Sequence, residues 1–323
     1  MRIFVTGGAG YIGSVCVEQL LDAGHQVTVF DNLTEGHKSA VDPRAKFVKD
    51  DLANAEGVKK AMAASKAEAV MHFGANALVG ESVQNPSKYF RNNVANGVNL
   101  LDAMVACGVP KIIFSSTCAT FGNPVKIPIA EDHPQQPLNP YGLSKLMFEQ
   151  ILHWYEVAHG LKHVILRYFN AAGCTEKFGE HHRIETHLIP NILFVALGKK
   201  PHLEIFGTDY DTPDGTCIRD YIHILDLAQA HMLALKREES SIYNLGNGDG
   251  SSVKQVLHAC LKVTGKDIPV VEKPRRPGDA SNMIAASHKA EREMGWKPKH
   301  PRIDEIVASA WKWHVAHPDG YPD

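Results

Sequence analysis

The 323-residue chain is poor in cysteine and contains no long apolar run. Its six cysteines form no Cys-x-x-Cys pair, which excludes a disulfide-rich scaffold and favours reduced thiols. No stretch of about 18 uninterrupted apolar residues occurs, so the sequence predicts no transmembrane helix. The first residues, from Met1 to Gly7, leave no room for a secretory signal, and we expect a cytoplasmic protein.

An excess of charge of one sign is also missing. The net charge is −2 with neutral histidines, from 34 Lys and Arg against 36 Asp and Glu. This balance excludes a broadly basic nucleic-acid-binding protein. A hydrophobic fraction of 44% excludes a disordered chain, and the length suits one large domain or two modest ones.

Histidine, with 18 residues, is more frequent than usual. His181, His182 and His187 lie close together in the sequence. They lack the ordered spacing of a zinc site with supporting cysteines or carboxylates. The sequence therefore predicts no metal centre.

Short apolar runs alternate with helix-length segments in the first half of the chain. The apolar runs are residues 3–5, 26–30, 69–73, 111–114 and 163–168. Strands that alternate with helices in this way form βαβ units. The sequence therefore predicts an α/β protein built on a doubly wound parallel (Rossmann) sheet.

The second half is richer in loops, glycine and proline. We expect a cofactor domain of residues 1–170, followed by a smaller, irregular α/β substrate domain of residues 171–323. A segment near residues 217–246 is expected to return to the first domain, because residues 242–245 could add a strand to its sheet.

A glycine motif follows the first predicted strand and opens a helix. Gly8-x-Gly10-x-x-Gly13 lets the backbone turn tightly and approach a pyrophosphate, which the helix N-terminus then binds. Asp31 follows 18 residues after Gly13, at the end of the second strand. Its carboxylate can accept hydrogen bonds from the adenosine ribose and would repel a 2′-phosphate, so the motif predicts NAD rather than NADP.

Further cofactor contacts are less specific in sequence. Asp51 could lie near the adenine, although an Asp at a strand end is more often a helix cap. Phe73-Gly74-Ala75 places small residues beside the expected cofactor channel, and Asn93 could bind either the cofactor or the backbone.

A Tyr-x-x-x-Lys motif supplies a candidate acid–base pair. Tyr141 and Lys145 lie on one helix face at i, i+4 spacing. An ammonium group and an oxidised nicotinamide would favour the phenolate and lower the pKa of the tyrosine. Thr117, at the carboxyl end of a strand, offers a hydroxyl that can bridge substrate and Tyr141. In isolation, each of these residues has a plain structural interpretation.

Together these motifs resemble the extended short-chain dehydrogenase/reductase family, and within it the branch that epimerises UDP-hexoses at C4. The resemblance runs nearly end to end, through Thr6 to Gly13, Asn92-Asn93-Val94, Ser115-Ser116-Thr117, Tyr141 to Lys145, Leu166 to Asn170, Arg219 to His223 and Arg275 to Asp279. It implies that bound NAD+ takes hydride from C4 of a UDP-hexose and returns it to the other face of a 4-keto sugar, which interconverts UDP-glucose and UDP-galactose.

The resemblance also implies roles for individual residues. Tyr141 is the catalytic base, Lys145 tunes it, and Thr117 takes a place often held by Ser. The implied cofactor contacts are Gly7, Gly10, Tyr11, Ile12, Gly13, Asp31, Asn32, Asp51, Leu52, Phe73, Gly74, Ala75, Asn93, Ser115, Tyr141, Lys145, Tyr168 and Phe169.

The implied substrate contacts lie mostly in the second half. Arginines fork onto phosphates, an aromatic wall suits uracil, and a carboxylate suits ribose hydroxyls. Met283 falls beside the sugar, where its size bears on N-acetylated hexoses. The full set is Thr117, Asn170, Leu188, Phe206, Arg219, Arg276, Asp279 and Met283.

Other functions remain open at this stage. The sequence discriminates poorly against UDP-N-acetylhexosamine, UDP-pentose or UDP-uronate substrates. A 4,6-dehydratase places acidic groups just after the Thr/Ser, where this chain has Cys118 and Ala119. A non-catalytic NAD-binding protein would need no base.

The family is commonly homodimeric, and two helices are apolar on more than one face. We expect a homodimer through these helices, although core burial alone could explain their composition. The apolar residues are Leu100, Leu101, Met104, Val105, Met147, Phe148, Ile151, Leu152 and Tyr155.

Overall fold

The computed structural model describes residues 1–276 and 280–323. The strands are β1 (Arg2–Thr6), β2 (Gln26–Asp31), β3 (Lys46–Lys49), β4 (Ala69–His72), β5 (Lys111–Thr117), β6 (Lys162–Tyr168), β7 (Asn170–Ala172), β8 (Leu203–Phe206), β9 (Ile218–Arg219), β10 (Tyr221–His223), β11 (Ser241–Leu245), β12 (Ser251–Ser252), β13 (Val270–Lys273) and β14 (Asn282–Met283).

Helices pack on both faces of the main sheet and also form part of the second half. They are α1 (Tyr11–Asp22), α2 (Ala55–Ser65), α3 (Val79–Gln84), α4 (Pro86–Tyr89), α5 (Asn96–Cys107), α6 (Pro140–His159), α7 (Leu188–Ala196), α8 (Ile224–Ala234), α9 (Val253–Thr264), α10 (His288–Met294) and α11 (Ile303–Ala316).

The main sheet of the described chain has seven strands in the order β11-β6-β5-β4-β1-β2-β3. Every neighbouring pair in it is parallel. This arrangement confirms the predicted α/β fold with a doubly wound parallel sheet. Strand order reverses between β1 and β4, and ligands of such sheets bind at the carboxyl ends beside this switch point.

Side chains that point alternately to the two faces of the sheet along β1 explain how both faces become buried. Ile3 and Val5 belong to one apolar cluster, which includes Val15 of α1 and Leu227 of α8. Phe4 belongs to a second cluster on the opposite face, with residues of α2, α5 and α6. Because successive strand side chains point to opposite faces, strands buried on both faces are continuously apolar.

The second half is attached to the main sheet by backbone hydrogen bonds. Residues 170–172 of β7 pair in parallel with β10 directly after β6 ends. The amide of Asn170 donates to the carbonyl of Asp220 at 2.9 Å, and that of Phe169 to Leu245 at 3.3 Å. β11 then lies beside β6 in the main sheet. The chain thus passes from the first half to the second and back, while the boundary at residue 170 stays a prediction.

Smaller sheets complete the second half. β12, β9 and β14 form one of them, and β13 pairs with β8 in another. Among the described helices, none has the length and apolarity required to cross a bilayer.

Candidate active site

The glycine loop between β1 and α1 meets the loop after β4 at the switch point. Gly7 has φ +71°, and a Cβ there would lie 2.5 Å from the amide nitrogen of Gly74. A Cβ on Gly13 would lie 2.2 Å from the carbonyl oxygen of Gly7. Both glycines are therefore required by the close approach of backbone to backbone.

Gly10 differs, because the chain itself leaves room for a side chain. The nearest atom to a Cβ there is the Gly7 oxygen at 3.4 Å. Gly10 caps α1 without a side-chain hydrogen bond, so Tyr11, Ile12 and Gly13 present helix-start amides. An open cradle beside uncapped amides fits the pyrophosphate of a dinucleotide.

Asp31 holds this loop against the end of β2. Its carboxylate accepts from the Ala9 amide at 3.0 Å and from the Leu33 amide at 2.8 Å. Burial raises the pKa of this carboxyl, while the two amides oppose the increase. Asp31 thus shapes the loop in addition to its predicted role towards ribose.

Asn32 and Asp51 are brought together at 2.7 Å by a side-chain hydrogen bond. Asp51 also accepts from the Ala53 amide at 2.8 Å and so makes a local turn. The helix cap that its sequence position suggested is instead Asn54, whose side chain accepts from the Gly57 amide. Leu52 is buried and approaches Gly74, whose Cβ would lie 3.4 Å from Leu52 Cδ1. These residues line the sheet edge on the Asp31 side.

Asn93 is committed to the protein backbone and to α6. Its side-chain oxygen accepts from the Asn76 amide at 2.9 Å, and its NH2 donates to the Asn76 carbonyl and to Ser144 Oγ, both at 3.0 Å. It thereby fixes the loop that follows Phe73, Gly74 and half-buried Ala75. A cofactor contact by the Asn93 side chain would use atoms that already form these hydrogen bonds.

The sequence places Tyr141 at the start of α6 by local capping. Asn139 accepts from the Gly142 amide at 2.8 Å, and Pro140 occupies the first helical turn. Tyr141 then reaches the end of β5, where burial raises the pKa of its phenol and the neighbouring Thr117 side chain opposes the increase. The structure therefore brings the predicted residues Tyr141 and Thr117 together.

Lys145 lies one turn further along α6 and is buried. Its ammonium nitrogen donates to the Ser115 carbonyl at 2.7 Å and lies 4.8 Å from the centre of the Phe114 ring. Ser115 Oγ lies 3.2 Å from His231 Nε2, and Tyr168, paired across from Thr117 in β6, completes this edge.

Electrostatics in the chain alone oppose the predicted activation of the tyrosine. Burial raises the pKa of Tyr141 to about 12, and the Thr117 hydrogen bond offsets only part of this. Burial lowers the pKa of Lys145 to about 7, against the attraction of Glu149. In the chain alone, these shifts favour the neutral phenol. We expect the positive charge of an oxidised nicotinamide to favour the phenolate.

A buried ion pair behind the lysine was missed by sequence reasoning. Glu149 accepts from Arg167 of β6 through Nε at 3.0 Å and Nη2 at 2.6 Å. Ser116 also donates to Glu149, at 2.5 Å. The available signal was spacing, because Tyr141, Lys145 and Glu149 recur every four residues on one helix face.

On the substrate side, Arg219 and Met283 are brought to the Thr117 edge. Arg219 pairs with Met283 between β9 and β14. Its guanidinium lowers the pKa of the Cys118 thiol, which burial raises to about 12. Met283 is buried in a small apolar cluster with Phe169 and Phe121.

Phe206 and Arg276 form a separate pair, with the guanidinium carbon 3.8 Å from the ring centre. Asn170 donates its side-chain NH2 to the Asp220 carbonyl at 3.1 Å, next to Arg219 in sequence. Leu188 is the first residue of α7 and is half-buried against the core. Asp279 lies outside the described residues.

Gly10 and Gly13 of the loop before α1 give a prediction that separates cofactor binding from folding. We expect Gly10→Ala to lower NAD affinity at least about tenfold while the free energy of unfolding changes little, because its Cβ meets no protein clash. Gly13→Ala should lower stability itself, because its Cβ would overlap the Gly7 oxygen.

Urea unfolding and bound-dinucleotide content, measured on both variants, check this. Gly80→Ala is the matched control, since a Cβ there meets nothing within 4 Å. Normal NAD content in Gly10→Ala would show that the cradle is not a dinucleotide site.

Comparison with known proteins supports the geometry. The curated UDP-glucose 4-epimerase of Lacticaseibacillus casei is 50% identical over 329 residues, which cover 100% of this chain and 99% of that protein. A crystal structure of a UDP-glucose 4-epimerase is similar with TM-score 0.97 and 47% identity, covering 99% of each chain. The structure of the Bifidobacterium longum UDP-glucose 4-epimerase in complex with NAD+ and UDP has TM-score 0.95 and 38% identity, covering 99% of this chain and 100% of that one.

The family model described as NAD dependent epimerase/dehydratase matches residues 3–246. Its NAD dependence confirms the cofactor predicted from the glycine motif and Asp31. With a match over more than half of its residues and relatives similar along its full length, the chain belongs to the NAD dependent epimerase/dehydratase family.

Proposed function

We propose that the chain interconverts UDP-glucose and UDP-galactose by inverting C4 of the hexose. The observation that carries this proposal is the placement of Tyr141 beside Thr117 at the carboxyl end of β5, with Lys145 buried behind them. The relatives named above, whose printed activity is UDP-glucose 4-epimerase, support the same assignment.

When bound, NAD+ would supply the acceptor for the hydride that leaves C4 of the hexose, and its reduced form would supply the donor that returns this hydride. Tyr141 takes the proton of the 4-hydroxyl and later gives it back. Thr117 orients that hydroxyl and the phenol through its own hydrogen bond. Lys145 Nζ donates to the Ser115 carbonyl and, in its protonated form, stabilises negative charge on the phenol oxygen.

The nucleotide half of the substrate is assigned to the second half of the chain. Arg219 and Arg276 offer guanidinium groups for the diphosphate, and the Phe206 ring offers an apolar wall for uracil. Met283 is buried beside Arg219 and so bounds the space for the sugar. Asn170, Leu188 and Asp279 keep their sequence-based assignment as further contacts.

The test is an assay of the purified chain with UDP-galactose and no added NAD. We expect UDP-glucose to form, and denaturation to release a bound dinucleotide. A panel with N-acetylated, pentose and uronate UDP-sugars then ranks the substrates by kcat/KM. A chain with bound NAD but no turnover of any UDP-sugar would refute the proposal.

Elimination chemistry is less well supported. Cys118 and Ala119 follow Thr117 in a short 3-10 turn, where a dehydratase needs a carboxylic acid and base. Burial raises the pKa of the Cys118 thiol to about 12, so it does not replace an acidic group at neutral pH.

We also propose a homodimer formed through α6, with a corrected set of contact residues. Leu100, Leu101, Met104, Phe148 and Leu152 are buried in the core of the single chain, which removes them from the predicted interface. The large apolar residues that stay exposed on α5 and α6 are Val105, Leu143, Met147, Trp154 and Val157. Those of α6 recur at intervals of four, seven and three residues, the spacing of a helix–helix seam.

A charge placed in this seam should dissociate the dimer. We expect light scattering to give twice the chain mass for the parent and one chain mass for the double variant Met147→Lys, Trp154→Lys. Val315→Lys, which is 52% exposed on α11, is the matched control and should stay dimeric. A dimeric double variant would place the interface elsewhere.

We further propose a cytoplasmic location. All six cysteines are free thiols, the state that the reducing cytoplasm maintains. Fractionation of the source cells, followed by immunodetection, tests the compartment.

A further inference from the structure

Two glutamates and two histidines converge in the loop between β7 and α7. They are Glu180, His182, Glu185 and His187, in the order Glu-x-His-x-x-Glu-x-His. One oxygen or nitrogen of each lies within 4.8 Å of those of the other three. His187 Nδ1 lies 3.0 Å from oxygens of both Glu180 and Glu185, and His182 Nε2 lies 3.3 Å from Glu180.

Both carboxylates are removed from water. The Glu180 side chain is 4% exposed and that of Glu185 is 6% exposed. Two buried carboxylates at this separation repel each other and need compensating charge. The neighbouring imidazoles supply it only when protonated.

The cluster also contains buried polar atoms without a hydrogen-bond partner. Glu185 Oε2 is buried and has no hydrogen-bond partner among the described residues. His182 Nε2 is also buried and makes no well-formed hydrogen bond, although it lies 3.3 Å from a Glu180 oxygen. Unsatisfied buried groups in native proteins call for a ligand, water or ion. The unsatisfied Glu185 oxygen and the poorly bonded His182 nitrogen therefore point to a missing common partner.

We propose that these four side chains bind a divalent zinc ion. The donors are His182 Nε2, His187 Nδ1 and one oxygen from each of Glu180 and Glu185. Zinc takes four such nitrogen and oxygen ligands at about 2.0–2.2 Å, which places ligand atoms about 3.3 Å apart. Shifts of about 1 Å in the outer side chains reach this geometry, and the ion neutralises both carboxylates.

The ion would act as a structural clamp. Four protein ligands leave no open position for substrate, as in structural rather than catalytic zinc sites. The His182 ring packs 6.1 Å from that of Tyr11, the first residue of α1. Leu188, the first residue of α7, directly follows His187. The clamp therefore fixes the loop between β7 and α7 beside the start of α1, independently of the proposed reaction.

The experiment measures metal in untagged protein by plasma mass spectrometry after zinc loading and dialysis against buffer with a weak chelator. We expect about one zinc per chain in the parent, and less than about a tenth of that in His182→Ala, Glu185→Gln. The matched control is His202→Ala, Glu204→Gln, which removes a half-exposed His–Glu pair on the surface and should keep its zinc. Zinc that stays in the first variant, or is lost from the control as well, contradicts the proposed site.

A second measurement needs no variant and so does not depend on a variant's folding. Stripping the parent with EDTA should lower its thermal midpoint by about 2–5 °C, and zinc, but not magnesium, should restore it. An unchanged midpoint, together with less than a tenth of a zinc per chain, identifies the cluster as a metal-free set of ion pairs and overturns the proposal.

Discussion

Tyr141→Phe should abolish turnover while the chain keeps its NAD. The substitution removes only the hydroxyl that lies beside Thr117 and that we propose as the acceptor of the 4-hydroxyl proton. General acid–base catalysis contributes about 10²–10⁴-fold, so we expect kcat to fall by that factor with KM nearly unchanged. The conversion of UDP-galactose, followed together with the NAD released on denaturation, measures both quantities.

Tyr155→Phe is the matched control for this prediction. Tyr155 lies on the same helix, but its hydroxyl donates to Asp102 at 2.5 Å, at the surface of the chain. We expect its kcat to remain within about twofold of the parent. A Tyr141→Phe variant that keeps more than a tenth of the parent activity would remove Tyr141 from its role as base.

Arg167→Leu should cause the largest loss of stability, about 3–5 kcal/mol in the free energy of unfolding. The variant leaves Glu149 buried with an unpaired charge, since both partners of this ion pair have side chains less than 5% exposed. The Glu149 carboxylate also lies close to Lys145, where its attraction opposes the burial that lowers the pKa of the lysine. Activity should therefore fall together with stability.

Urea unfolding at equal NAD loading tests this prediction. The double variant Glu149→Leu, Arg167→Leu should recover part of the loss, because it removes both charges. Arg2→Leu breaks a half-exposed pair with Glu68 and should cost at most about 1 kcal/mol. If Arg167→Leu costs no more than Arg2→Leu, the buried pair is not a main determinant of stability.

The parts of the fold and site that could be predicted are those with local causes. The Gly8–Gly13 loop needs particular backbone geometry within a few residues, and Asp31 follows directly from the next strand. The Tyr141 and Lys145 spacing needs only one helix. Such short-range constraints leave a pattern that one sequence is enough to reveal.

Features that depend on packing between distant segments were not predictable in this way. Glu149 meets Arg167 only because α6 lies across β6. The faces of α5 and α6 that enter the core are decided by the sheet, so the apolar composition of Leu100 or Phe148 could not separate core from interface. Glu180 and Glu185 lie among the histidines in sequence, but only the turn of their loop brings the four side chains to one point.

The direction in which the pKa of Tyr141 shifts could also not be predicted from the sequence. Sequence spacing places a cation one turn from Tyr141, which suggests a lowered pKa. Burial instead raises the pKa of Tyr141, and the chain alone favours the neutral phenol. We expect the positive charge of the oxidised cofactor to favour the phenolate.

The backbone bonds that join Phe169 to Leu245 and Asn170 to Asp220 have a consequence for the motion that the reaction requires. A hinge absorbs large torsional changes at a few unbonded residues, and this junction is instead continuous with two sheets. These bonds tie the two halves of the molecule together at their junction. The proposed inversion at C4 requires the sugar and the cofactor to reverse their relative orientation. With the halves tied in this way, we expect the sugar to turn about its own flexible diphosphate while the protein keeps its arrangement.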